Sequence, residues 1–383
     1  MDQPSKWEAI QNNLPWVPGY FWQRLVRRAP DIRPVDLIIG IADHFEPPMG
    51  ESGNSAGPLG RAERHQRLKQ WCRAYPVAMD PWRDHDGQPL RHTYFYPAEQ
   101  YDEEAVDVLA EHCRSGWGEI EIHLHHGVQA PDTLENTTRI LTRFRDALVA
   151  RGCLSQDNGA GPPRYCFVHG NWALANSAQG RFCGVDSEMQ ILADTGCFAD
   201  FTLPAPTSAQ ISKSNALYEC ALPLNERAPH RRGYDLRSGR PPKTFPLIIQ
   251  GPLLVDLGRA NRGGYLPSIE NSEIAGINPP TMRRLGLWRK AGIVVQGRPE
   301  WLFIKLHCHG MADGQEPAMF GDSIQEFLKE LINSPRNNTE YRLHFVTMRE
   351  MVNIILAACD GRNGNPGAYR DYRFRLIRPP VRS

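Results

Sequence analysis

Four times along this chain a short run with the signature of a strand, three of them apolar and one alternating, ends in histidine. Val35 to Ile41 (VDLIIGI) leads into Ala42-Asp43-His44-Phe45-Glu46. EIEI, from Glu119, leads into His123-Leu124-His125-His126-Gly127. Tyr165 to Val168 leads into His169-Gly170-Asn171-Trp172, and Trp301 to Leu306 (WLFIKL) into His307-Cys308-His309-Gly310. The short apolar runs suit buried parallel strands, and EIEI reads as a strand from the alternation of Ile120 and Ile122 with Glu119 and Glu121. HTYFY from His92, and the stretches 198–202 and 245–250, read as further strands. Between them the spacing predicts helices over 61–75, 102–113, 186–195 and 323–333, one opened by Asp132 and Glu135 with Ile140, Phe144 and Leu148 inward, and a last one capped by Thr347 and Glu350. Alternating strands and helices predict a parallel α/β architecture. Such folds carry their chemistry at the C-terminal ends of the strands, where each histidine group falls.

The second group constrains the chemistry most. It packs three histidines into four residues. Strand period two puts His123 and His125 on one face, where two imidazoles can share a borderline-soft cation such as zinc. Asp43, His44 and Glu46 offer further metal-binding or acid–base side chains beyond the first strand. Asn171 and Trp172 follow another strand end, where the indole reads first as a packing tryptophan and otherwise as a surface that can stack on a sugar ring.

At 383 residues, 41% of them hydrophobic, the chain has material for a full core. A net charge of +1 gives no compositional argument for nucleic acid or for strongly acidic partners. Nine dispersed cysteines without a C-x-x-C pair indicate neither a disulfide framework nor a zinc finger, and a reducing compartment is the simplest reading. The first residues lack a signal-peptide h-region, and no run of about eighteen apolar residues occurs anywhere. The expected location is the cytoplasm, with attachment to a membrane surface left open. Trp7, Trp16, Tyr20, Phe21 and Trp22 form an aromatic lead-in expected to pack on the main domain. The expected organisation is a lead-in over 1–33, one domain over 34–361 with a basic insertion at about 225–244, and a surface tail over 362–383. The insertion reads as a solvated loop or as a cationic rim for an anionic glycan or lipid head group.

In their order along the chain, these motifs resemble the polysaccharide deacetylase (NodB-homology) family of carbohydrate esterases. IADHFEP stands where that family has its aspartate motif after the first strand. HTYFYPAEQYDEEAVDVLAEHC leads to EIEIHLHHG, where it has E-I-x-x-H. YCFVHGNW and GCFADFT stand at its third and fourth motifs, and FIKLHCHG at the strand ending in Leu-His. The match runs from about Val35 to Cys359. It departs from the family in three places. The usual pair of aspartates is Asp43-His44 here; Gly127 occupies the place of the second histidine of the second motif; and His169 stands where the third motif has arginine.

The resemblance implies a distorted (β/α) barrel of the polysaccharide deacetylase type with its site at the strand C-termini. It implies a divalent metal, zinc or alternatively cobalt or nickel, on His123, His125 and His44 or Asp43, with His126 the alternative to His125. Asp43 would act as general base, or Glu46 in its place, and His307 as general acid; His309 shares its face. Asp200 or His169 would orient His307, and His169, Asn171, Trp172 and Asp200 would line the substrate site. The implied reaction removes acetyl from an N-acetylated sugar of a polysaccharide or lipid-linked saccharide. An amidase acting on another C–N bond and a non-catalytic glycan-binding relative are the alternatives. The sequence does not specify an oligomeric state.

Overall fold

The computed structural model describes residues 16–26, 33–46, 60–205, 213–256, 258, 260–261, 264–265 and 268–377. Trp7 and nearly all of the loop from Gly50 to Gly60 lie outside the described residues. The main sheet begins with β1 (Val35–His44), β2 (His92–Pro97), β3 (Gly118–Leu124) and β4 (Ala160–His169). It continues with β5 (Cys197–Asp200), β6 (Leu217–Cys220), β7 (Gly233–Asp235), β8 (Leu247–Ile249), β9 (Glu273–Ile274), β10 (Trp301–Cys308) and β11 (Tyr341–Phe345). In space the order is β9-β10-β1-β2-β3-β4-β5-β8-β6-β7, with β11 also on β1. From β9 to β8 every pairing along this path is parallel; β6 pairs antiparallel on both sides, as does the short strand Ser155–Asp157 between β4 and Phe374–Leu376. The protein is a mixed α/β structure whose large, mostly parallel sheet curls into a half-barrel. Nine α-helices accompany it among the described residues.

Both faces of the central strands are buried, which is why β1 is apolar nearly throughout and buried at all ten positions. Ile39, Ile41, Tyr94, Ile122 and Phe167 face α2 (Arg61–Met79), α3 (Glu103–His112) and α4 (Leu134–Val149). Ile38, Ala42, Phe95, Cys166, Val168 and Phe303 face a core that includes Val352 and Ile355 of the last helix, Met348–Cys359. Register then places the polar residues. Ala42 pairs with His307, so His44 and His307 share the face of the last helix. His123 pairs with Val168 on that face, and Leu124 pairs with His169 on the other.

The second helix runs past Tyr75 to Met79 despite Pro76. Tyr75 and Met79, four apart, are both buried against the sheet, and that packing outweighs the hydrogen bond lost to proline. Thr347 and Glu350 form the expected capping box. Thr133, not Asp132, caps α4, because Asp132 is turned toward His126. The aromatic lead-in docks through Trp16 and Tyr20 on Leu253, while Phe21 and Trp22 stay exposed. The tail, expected on the surface, is instead pinned as far as Ile377. Phe374 is buried and stacked on Phe198, and Arg370 reaches Asp84 and Asp86. No helix among the described residues is long and apolar enough to cross a membrane.

Candidate metal centres

The three histidines of the HLHH stretch go to two different places, as the two faces of a strand require. His123 and His125 join His44, Glu46, His307 and His309 on the face of the last helix. The ring centroid of His44 lies 5.0 Å from His123, 6.0 Å from His307 and 4.8 Å from His309. His123 and His125 are 4.5 Å apart. Donor atoms of His44, Glu46 and His123 all fall within 4.8 Å of one another.

Hydrogen bonding fixes which nitrogens look into this cluster. His123 Nδ1 lies 2.9 Å from the Val168 carbonyl, which can only accept, so Nδ1 carries the proton. The lone pair of its Nε2 then faces Glu46 Oε1 at 2.9 Å. His125 repeats the pattern, with Nδ1 2.8 Å from Glu99 and Nε2 3.4 Å from the same Glu46 oxygen. Lone pairs directed at a carboxylate require a positive charge between them, a metal or a proton. His44 Nε2 and His307 Nδ1 are buried without a hydrogen-bond partner among the described residues, which is costly unless a ligand or ion completes them.

Electrostatics agree with a cation-binding cluster. Burial, then the neighbouring His309, His123 and His307, hold His44 well below the usual imidazole range, in the neutral form that coordinates metals. Burial opposes ionisation of Glu46, yet the hydrogen bond and charge of His123 and the charge of His125 bring it down to about 2. Glu46 and His125 keep side-chain exposures of 23% and 22%, so the cluster opens to solvent on that side. Glu99 also lines a cleft of about 280 Å³ whose walls include Tyr101, Arg139 and Arg143.

The structure places the other candidates elsewhere. Asp43 lies across the strand from His44, fully buried, its carboxylate bound by His92 Nδ1 at 2.9 Å and the Gly310 amide at 2.7 Å. It braces the turn after His309 and does not face the histidine cluster. His126 and His169 meet on the helix side, with Cys183 and Glu188. Asn171 and Trp172 sit in a left-handed turn, and Trp172 packs partly buried against the core. Asp200 is closed off: it accepts from Thr202 Oγ1 at 2.7 Å, and burial pushes its carboxyl up to about 7. In the basic stretch, Arg232 pairs with Glu226 and Arg237 with Gln296, on the surface.

Sequence reasoning passed over Glu99, Cys183, Glu188 and Lys305. Only Lys305 left a signal, as a cation inside the apolar WLFIKL run; it is fully buried on the His307 face, and burial pushes it down to about 7. No family model and no curated protein matches the chain.

Proposed function

We propose that the protein is a metal-dependent hydrolase that removes the acetyl group from an N-acetylated sugar, built on a distorted barrel of the polysaccharide deacetylase type. The observation that carries this reading is the meeting of His44, Glu46 and His123 at strand C-termini, with ring nitrogens and a carboxylate turned toward one point and one side open to solvent. Open metal sites of this kind are the catalytic kind. His44, His123 and Glu46 would hold the cation, with His125 as a further donor oriented by Glu99. When bound, a divalent cation such as zinc, or alternatively cobalt or nickel, polarises the amide carbonyl and acidifies a water to near neutral pH.

The remaining roles fall to the chain's own side chains. Glu46, held ionised, is a better ligand than base, and Asp43 is turned away. Proton transfer is therefore assigned to the wall made by His307 and His309. His309 takes the proton of the attacking water, and the buried, unpartnered Nδ1 of His307 delivers one to the leaving amine. Burial holds His307 neutral in the resting site, so it donates only once His309 has passed it the proton taken from the water, and both imidazoles are neutral again when the amine leaves. Tyr101, with Arg139 and Arg143, supplies a platform and cations for a sugar beside Glu99.

The test is acetate release from N-acetylated oligosaccharides by the metal-loaded chain, beside folded His123→Ala and His307→Gln variants. Release by the parent and its loss in both variants is expected. Metal uptake with no acetate from any N-acetylated glycan would sink the sugar reading and leave an amidase on another C–N bond.

A further inference from the structure

On the opposite side of β3, His126 Nε2 lies 3.1 Å from His169 Nε2 and 2.9 Å from Glu188 Oε1. His169 Nε2 is 3.4 Å from the same oxygen, and Cys183 Sγ is 3.6 Å from the other oxygen of Glu188. All four residues are buried, and their donor atoms lie within 4.8 Å of one another. His126 Nδ1 lies 2.9 Å from Asp132 Oδ2, and His169 Nδ1 meets the Gly170 carbonyl. Both partners only accept, so both Nδ1 atoms carry protons, and both Nε2 atoms are turned inward, free to bind a cation when neutral, with a proton on His126 the alternative that would pair it with Glu188. Two imidazole Nε2 atoms and a carboxylate thus converge in a buried pocket. This is the arrangement a metal-ligating histidine shows, with its far nitrogen donating to a carboxylate or carbonyl. The separations approach the edge of about 3.3 Å that a zinc tetrahedron of nitrogen and oxygen donors requires.

We propose a second, closed zinc site made of His126, His169, Cys183 and Glu188, structural rather than catalytic. It has four ligands and no open side. What it would hold is chain without regular structure. The loop after β3 and the loop around Cys183 are joined by backbone bonds from Phe182 to Gly127 and from Asp132 to Cys183. Between His169 and Cys183, six non-glycine residues take left-handed conformations: Asn171, Trp172, Ala175, Asn176, Gln179 and Phe182. Such conformations persist only where surrounding structure imposes them. Glu188 adds a second tie, its other oxygen accepting from the Ala175 amide at 2.6 Å. The closed site also abuts the open one. His126 follows His125, and a Cβ on Gly170 would fall 2.2 Å from the His125 ring.

The test is cobalt(II) substitution of the full-length chain. Cys183 is the only thiol among these two ligand sets, but Cys308 lies with Asp43 and His92 in another group of possible ligands, so a thiolate-to-cobalt charge-transfer band reports on the closed site where Cys183→Ser removes it. The band is expected in the parent and in His123→Ala, and not in Cys183→Ser, with folding checked by circular dichroism. If Cys183→Ser does not fold, X-ray absorption of the zinc protein replaces it, and a sulfur in the first coordination shell is expected. No band in the parent, or a shell of nitrogen and oxygen only, would overturn the site and leave His126 as an imidazolium paired with Glu188. Failure to release acetate would leave this result untouched, because the band does not depend on turnover.

Discussion

His125 and His126 are neighbours in sequence and belong to different sites. Each has its Nδ1 on a carboxylate, Glu99 or Asp132, and its Nε2 toward another, Glu46 or Glu188. The two clusters differ in what surrounds them. One is partly exposed and keeps two unpartnered histidine nitrogens; the other is sealed and keeps none. The difference teaches what to look for: an unfinished coordination set with a way in serves chemistry, and a finished set with no way in serves shape. A third cluster, Asp84, Asp86 and His344, sharpens the contrast. There Arg370 already supplies the positive charge, at 2.9 Å from Asp84 and 2.7 Å from Asp86. The ion-pair partners of Glu46 and Glu188 among the described residues are histidines alone.

The largest expected effect is on the sealed side. His126→Ala would leave the buried Glu188 with only His169 and the Ala175 amide, at a cost of up to about 3–5 kcal/mol by analogy with broken buried pairs. Denaturant unfolding measures it, and chelation should reproduce part of the loss in the parent. A variant as stable as the parent would remove the structural role. On the open side, His123→Ala should cost activity and not fold. A fall of at least about 100-fold in kcat/KM is expected, together with loss of one metal equivalent. If stability fell and activity survived, the two clusters would have to exchange roles.

How far the two sites could be read in advance follows from strand geometry. The runs VDLIIGI and WLFIKL mark buried strands, and period two separates His123 and His125 from their neighbour. The mostly parallel α/β sheet and the meeting of His44, His123 and His307 are therefore legible, whereas the half-barrel that the sheet forms is not. The partners are not. Glu188 opens a helix 62 residues after His126, and Cys183 sits in an irregular loop, so neither has a periodicity to betray it. Asp132 looks like a helix cap by its spacing, but a buried imidazole competes for the same carboxylate and wins, and Thr133 takes over the cap. Asp43 misleads for the opposite reason. The residue before His44 points to the other face, where His92 and the Gly310 amide use up its oxygens.

A smaller effect tests whether the outer carboxylates act alike. Glu99→Gln and Asp132→Asn keep the shape and weaken the grip on each Nδ1 proton. Each should lower metal affinity about 10- to 100-fold, Glu99→Gln at the open site and Asp132→Asn at the closed one. Competition with a chromophoric chelator reads the first, and cobalt charge transfer the second. An effect at the wrong site would show the clusters to be coupled more tightly than the abutment of Gly170 and His125 implies.

The smallest effect comes from the third cluster, which serves as a control. Burial works against ionisation of Asp86, but hydrogen bonds from Asn365, Arg370 and His344 outweigh it and hold the carboxyl well below the usual carboxylate range. A depressed folded pKa stabilises above the unfolded value and stops doing so as pH falls through the folded one. Asp86→Asn should therefore be less stable than the parent at neutral pH. The gap should narrow only as the pH drops below the ordinary value of 3.8, where Asp86 of the unfolded chain takes up its proton, and close as the folded carboxyl becomes neutral too. Metal content should not change, because Arg370 remains to face Asp84. Urea midpoints across the acid range, with metal analysis at neutral pH, read both. A metal equivalent lost with Asp86 would mean that an arginine in contact does not exclude a cation, and the ground for separating this cluster from the other two would go with it.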